Sequence, residues 1–167
     1  PDTVTEIGDS AFENSGLVEV TFGNSVQKIC MSAFQDTALV EVTMPDSVTV
    51  AERRAFRDCT SLKDLTLSKS LTTVESETFR GCTSLTSIEI PKSLTECTRW
   101  DTYFYAEGAF CGCNNLSNVT FEDGTKTIAG YLFANCSGIK SITIPDTVTK
   151  IGDSAFENSG LVEVTFG

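Results

Sequence analysis

Apolar and polar positions along this chain fall into two short bursts, repeated in blocks of mostly 22 or 23 residues. The first burst alternates strictly. Val42 and Met44, Leu65 and Leu67, Ile88 and Ile90, Val119 and Phe121, and Ile142 and Ile144 are apolar at i and i+2, with polar residues between. That is strand spacing, with one set of side chains turned inward and the other outward. A Leu or Ile precedes each pair, at Leu39, Leu62, Leu85, Leu116 and Ile139, and in several copies a Pro or Gly (Pro45, Pro91, Pro145, Gly23, Gly167) follows to end the strand. The second burst predicts a short extended stretch at Val4-Thr5, Val48-Thr49 and Val148-Thr149, with Ile7, Ile29, Val74, Ile128 and Ile151 pointing inward. Between the bursts lies an Ala-Phe segment, which predicts a turn of 3₁₀ or α-helix on the far side.

Seven phenylalanines mark the period: Phe12, Phe34, Phe56, Phe79, Phe110, Phe133 and Phe156, separated by 22, 22, 23, 31, 23 and 23 residues. A unit that short cannot bury its own apolar face, so its copies stack. The expectation is one repeat domain over 1–167, with about seven coils, a narrow continuous core and parallel strands about 4.8 Å apart.

The segment Ile-Pro-Asp-Thr-Val-Thr-Lys-Ile-Gly-Asp-Ser-Ala-Phe (144–156), with Phe79-x-x-Cys82-x-x-Leu85-x-x-Ile88-x-Ile90-Pro91, resembles the BspA-like branch of the leucine-rich repeat proteins. The resemblance covers essentially the whole chain. It implies a right-handed leucine-rich-repeat solenoid with a parallel β-sheet, and a secreted or cell-surface protein engaged in attachment. Repeat scaffolds carry many functions, so the site has to be argued separately.

Residues 1–23 and 145–167 are identical except for Glu6 against Lys150. The match predicts a 144-residue super-repeat in a longer array, of which this chain is a window. It also predicts that one copy can continue another end to end, a heterologous contact that does not close.

The net charge of −11 argues against nucleic acid, whose binding depends on Lys and Arg neutralising phosphates, and against anionic membranes. No apolar run reaches the roughly 18 residues of a membrane-spanning helix, so no membrane insertion is expected. Four of the seven cysteines, Cys59, Cys82, Cys113 and Cys136, share one place three residues after a Phe, where other copies carry Ser15, Thr37 and Ser159. A disulfide partner could not become Ser, so these read as buried free thiols. Cys30, Cys97 and Cys111 fall outside the pattern, and an odd one among them could be reactive.

There is no histidine. That removes Ser-His-Asp and Cys-His catalysis and His-bearing metal sites. No phosphate-cradling glycine loop is present either. The chain is therefore read as a non-catalytic binding module without cofactor or metal, taking a protein or polysaccharide ligand. Two surfaces are candidates. One is the outward side of the alternating strands, a Thr ladder beside an acidic column: Glu19 and Thr21, Glu41 and Thr43, Asp64 and Thr66. The other is an insertion in the fifth copy, within 96–105, that holds the only Trp and two of three Tyr. Insertions in repeats map to loops on one face, and Trp, Tyr and Arg are common interface anchors, which singles out Arg99, Trp100, Tyr103 and Phe104. The alternative is a filament or surface-layer subunit joined through its matching ends.

Overall fold

A computed structural model describes residues 2–99 and 107–167. In chain order the strands are β1 (Glu6–Ile7), β2 (Lys28–Ile29), β3 (Glu41–Thr43), β4 (Val50–Ala51), β5 (Asp64–Thr66), β6 (Thr73–Glu75) and β7 (Ser87–Ile90). There follow β8 (Glu96–Thr98), β9 (Asn118–Phe121), β10 (Thr127–Ile128), β11 (Ser141–Ile144), β12 (Lys150–Ile151) and β13 (Glu163–Phe166). Every pairing is parallel, between one coil and the next. Strands with the alternating pattern make one face, as β3-β5, β7-β9 and β11-β13. The shorter strands make a second face, as β1-β2-β4-β6-β8 and β10-β12. The second burst thus forms strands two residues later than Val4-Thr5, Val48-Thr49 and Val148-Thr149. Ile29, Val74 and Ile128 point into the core as expected.

The far side of each coil is not helical; among the described residues there is no helix. The reason lies in the backbone around each Phe. Residues two before and two after it adopt left-handed conformations, as with Ser32 and Asp36 around Phe34, Arg54 and Asp58 around Phe56, and Tyr131 and Asn135 around Phe133; at Phe110 only the following Gly112 does. A left-handed residue at every fourth position breaks a right-handed helix. The amides a helix would use internally bond instead to the next coil. Ser32 N–H donates to Arg53 O (3.0 Å), Phe34 N–H to Ala55 O (2.8 Å) and Asp36 N–H to Arg57 O (2.9 Å). The remaining amides close tight turns, such as Ala33 N–H to Cys30 O at 3.2 Å. So the wall is a turn whose hydrogen bonds run along the stack.

Inside that wall the seven Phe rings form a single column. Successive centroids lie 4.9 to 5.6 Å apart and ring planes differ by 8 to 20°. The Phe79–Phe110 step, which spans the longer fifth copy, is 4.9 Å, so the insertion leaves the column unbroken. Full burial of a side chain this size contributes about 1.5–3 kcal/mol. Beside it stand Leu39, Leu62, Leu85, Leu116 and Ile139, all fully buried.

All seven cysteines are free, and for Cys59, Cys82, Cys113 and Cys136 this is what their repeat position predicts. Each Sγ of the ladder donates to a carbonyl of the preceding coil: Cys59 to Phe34 O (3.1 Å), Cys82 to Phe56 O (3.3 Å) and Cys113 to Phe79 O (3.2 Å). Thr37 satisfies its hydroxyl on Phe34 O at 2.9 Å, which explains why Thr can stand in the Cys position. Burial pushes the off-pattern thiols up as well, Cys30 and Cys97 to about 12 and Cys111 to about 11. At neutral pH all three are protonated, and the thiolate is the reactive form; the expectation of a reactive odd cysteine finds no support in their surroundings.

Candidate functional site

The alternating strands set out the first candidate surface. In β3 and β5 the burial runs exposed, buried, exposed, so Val42 and Leu65 enter the core and their neighbours face solvent. Parallel pairing then puts like beside like: Glu41 lies opposite Asp64 and Thr43 opposite Thr66. Further along, Ser87 pairs with Asn118, Glu89 with Thr120, Ser141 with Glu163 and Thr143 with Thr165. All of these residues are exposed. Glu19 and Thr21 are exposed too, and they line an open depression with Glu41, Thr43, Val18 and Val40. A second depression at the other end is walled by Asn118, Thr120, Thr143 and Thr165. The structure therefore joins the sheet-face residues into one surface that presents carboxylates and hydroxyls at strand spacing. It is a shallow, solvent-facing strand surface with an open depression towards each end.

The insertion is only partly in view. Trp100, Tyr103 and Phe104, with Tyr105, lie outside the described residues. What can be placed is the start of the insertion and the residue that follows it. Arg99 holds its guanidinium 4.6 Å from the centre of the Tyr131 ring, a cation–π contact with the turn wall of the sixth coil. Glu107 pairs with Arg80 of the fourth coil. Glu96–Thr98, expected to lie within the insertion, instead form β8 in regular pairing with β6, and the second face divides after it, with β8 and β10 belonging to separate sheets.

Metal-ligand types converge once among the described residues, at Asp9, Cys30 and Glu52. Their donor atoms are already engaged. Asp9 and Glu52 both accept the Met31 N–H, at 3.2 and 3.1 Å, and the other Glu52 oxygen pairs with Lys28 at 2.7 Å. The buried Cys30 thiol keeps its proton, whereas a metal needs the thiolate. This trio closes a corner between coils.

Sequence reasoning missed a third arrangement, on the turn wall of the third and fourth coils. Glu77, 5% exposed and left-handed at φ 66°, receives four arginines. Arg53 Nη2 approaches its carboxylate at 2.8 Å, Arg54 Nε at 2.9 Å, Arg57 Nη1 at 3.2 Å and Arg80 Nη1 at 3.5 Å. Burial alone pushes the Glu77 carboxyl up; the hydrogen bonds and charges of Arg54 and Arg53 outweigh it and hold the group below its usual range. The signal was present in the columns of the repeat. Positions three and two before the Phe, and one after, carry arginine only at Arg53, Arg54, Arg57 and Arg80, and no other copy has a basic residue in these columns.

Comparison with known proteins agrees with this architecture. A family model described as a BspA type leucine rich repeat region matches residues 1–106 and 105–167, in six copies. A leucine-rich repeat protein of Bacteroides ovatus is 29% identical with a TM-score of 0.63, over 91% of this chain and 44% of its own. A leucine rich cell surface protein of Faecalibacterium prausnitzii is 27% identical with a TM-score of 0.53, over 100% of this chain and 59% of its own. The pneumococcal vaccine antigen PcpA shares the fold at 22% identity and a TM-score of 0.65, over 90% of this chain and 39% of its own. The chain thus spans less than two thirds of each of these structures. No curated protein matches it.

Proposed function

The chain belongs to the BspA-type leucine-rich repeat family, and from that premise we propose that it is a non-catalytic binding module of a secreted or cell-surface protein. It takes a protein or polysaccharide ligand along the Thr-rich and acidic strand face, with Trp100, Tyr103 and Phe104 as aromatic anchors. The supporting observation is the register: Glu41 beside Asp64 and Thr43 beside Thr66 repeat one pattern of donors and acceptors from coil to coil. A polymer that lies along the stack meets many weak contacts at once, and avidity follows from their number. The cell-surface description of the Faecalibacterium relative supports the location.

The test is a screen of the purified chain against immobilised polysaccharides and surface proteins, repeated with Thr43→Arg/Thr66→Arg and with Trp100→Ala. Loss of at least about tenfold in affinity in the strand-face variant, with an unchanged melting curve, is the expected result; about 1.4 kcal/mol corresponds to that factor. Full retention of binding in both variants would sink the proposal.

A structural role is the second reading. Residues 145–167 dock on the sixth coil through β10–β12 and β11–β13, and residues 1–23 share that sequence but for one position. That place is filled within the chain, so a second copy would stack its residues 1–23 on the outer side of 145–167, where Val162 and Phe166 stand exposed. Light scattering across a concentration series decides it: open-ended growth supports end-to-end assembly, and a constant 18.0 kDa species excludes it for this chain.

A further inference from the structure

Four of the five arginines, and so four of the twelve Lys and Arg residues, stand on two adjacent coils of a chain with net charge −11. Glu77 organises them. Its carboxylate accepts five guanidinium N–H bonds, two from Arg53, two from Arg54 and one from Arg57. A carboxylate offers about four lone-pair sites and each guanidinium five N–H donors, so Glu77 is saturated while the arginines are not. The guanidiniums are also within reach of solvent, with side chains 23 to 34% exposed. Arg57 also pairs with Asp58 at 3.0 Å and Arg80 with Glu107, so Arg53 and Arg54 carry the cluster's least compensated charge.

We propose that Arg53, Arg54, Arg57 and Arg80 form a docking surface for a carboxylate-bearing segment of a protein partner, with Glu77 as the positioning residue that holds them ready. This surface lies on the turn wall and takes the opposite charge from the acidic strand face, so it goes beyond the binding role assigned to that face. Two considerations select the partner. Arg54 already grips both Glu77 oxygens through Nε and Nη2, and Arg53 sets the same two nitrogens on one of them; arginine forks match the planar carboxylate better than a point charge does. The net charge of −11 argues against a long polyanion such as nucleic acid, which needs a broad positive field, but not against a short acidic segment that meets the patch at contact distance. Surface arginines usually lose rotamer freedom on binding; here Glu77 has removed much of that freedom beforehand, and preorganisation of this kind favours association. The patch also borders the insertion, since Arg80 pairs with Glu107 and Glu77 N–H donates to Gly108 O at 3.2 Å.

The experiment titrates the whole chain with a fluorescent eight-residue glutamate peptide as the probe. Arg53→Lys/Arg54→Lys keeps the charge and removes the forks, and its expected effect is about tenfold weaker binding, as for loss of charge-assisted hydrogen bonds. A second measurement needs no variant: on the unaltered chain, the peptide slows phenylglyoxal modification of Arg53, Arg54 and Arg57 relative to Arg99. Three results overturn the proposal. They are absence of peptide binding, equal protection of Arg99, and displacement by a heparin fragment whose affinity is unchanged by the Lys substitutions, which would make the patch a site for charge alone.

Discussion

Residues 2–23 and 145–167 are nearly the same sequence in two places, and they do not have the same structure. Gly8 has open space where a side chain would grow, whereas a Cβ on Gly152 would lie 2.3 Å from the backbone nitrogen of Gly130. Ala11 is exposed; Ala155, its counterpart, is buried. Residues 19–22 join no ladder, whereas Glu163–Phe166 pair with β11. The contrast reverses on the other side of each coil: Val20 and Phe22 are half-buried, but Val164 and Phe166 are exposed. The segment at 2–23 has a neighbour after it and the one at 145–167 a neighbour before it. A coil of this solenoid therefore takes much of its conformation from adjacent coils, and stability is carried by the interfaces between them.

The largest effect that can break this comparison is on the aromatic column. Phe133 is fully buried, between Phe110 and Phe156 at 5.5 Å each. Phe133→Ala is expected to lose about 3–5 kcal/mol in urea unfolding, the cost of a core cavity. Phe12 is 40% exposed and, among the described residues, stacks only on Phe34, so Phe12→Ala should lose less than about 1.5 kcal/mol. Equal losses would show that the interfaces are not the unit of stability. Next comes the glycine pair, where residue type and sequence context are matched. Gly152→Ala forces the backbone off Gly130 and should cost about 1–3 kcal/mol by overpacking. Gly8→Ala should stay within about 0.5 kcal/mol of neutral. A neutral Gly152→Ala, judged by thermal midpoint, would remove the steric part of the comparison.

The period was legible because each of its marks has a single physical cause. Phe at a fixed spacing must stack, and apolar residues at i and i+2 must alternate across a strand. The turn wall was misread because Ala-Phe flanked by polar residues carries no helix-breaking Pro or Gly in most copies. The break comes from left-handed Ser32, Arg54 or Tyr131, a conformation stabilised by bonds to the next coil, which no window of one coil contains. The strand-face columns were legible for the same reason as the period. The Arg–Glu77 cluster was not, although its residues sit in matching columns, because arginine near a turn ordinarily means no more than a solvated surface. Only the geometry shows Arg53, Arg54 and Arg57 of one coil converging on Glu77 of the next.

That cluster gives the last and smallest contrast. At the end of the stack Gly130 and Gly152 join coils by bare backbone approach, whereas the middle coils are joined at the same wall by a charge. Only the second is sensitive to acid. The Glu77 carboxyl is held below its usual range in the folded chain, and in the unfolded chain it titrates near about 4.3. A depressed folded value means the stabilisation is fully present above that pH and is lost as pH falls through the folded value. Below about pH 4 the unfolding free energy should therefore fall. Glu77→Gln should remove its share of that dependence at a cost on the order of 1 kcal/mol at neutral pH, the net worth of an ordinary hydrogen bond. Proteolysis read by mass spectrometry locates the effect: acid should open cleavage around 53–80 before 130–155. Opening at the glycine-joined end first would mean that Glu77 contributes no acid-sensitive stabilisation, and that its arginines are held by their packing rather than by its charge.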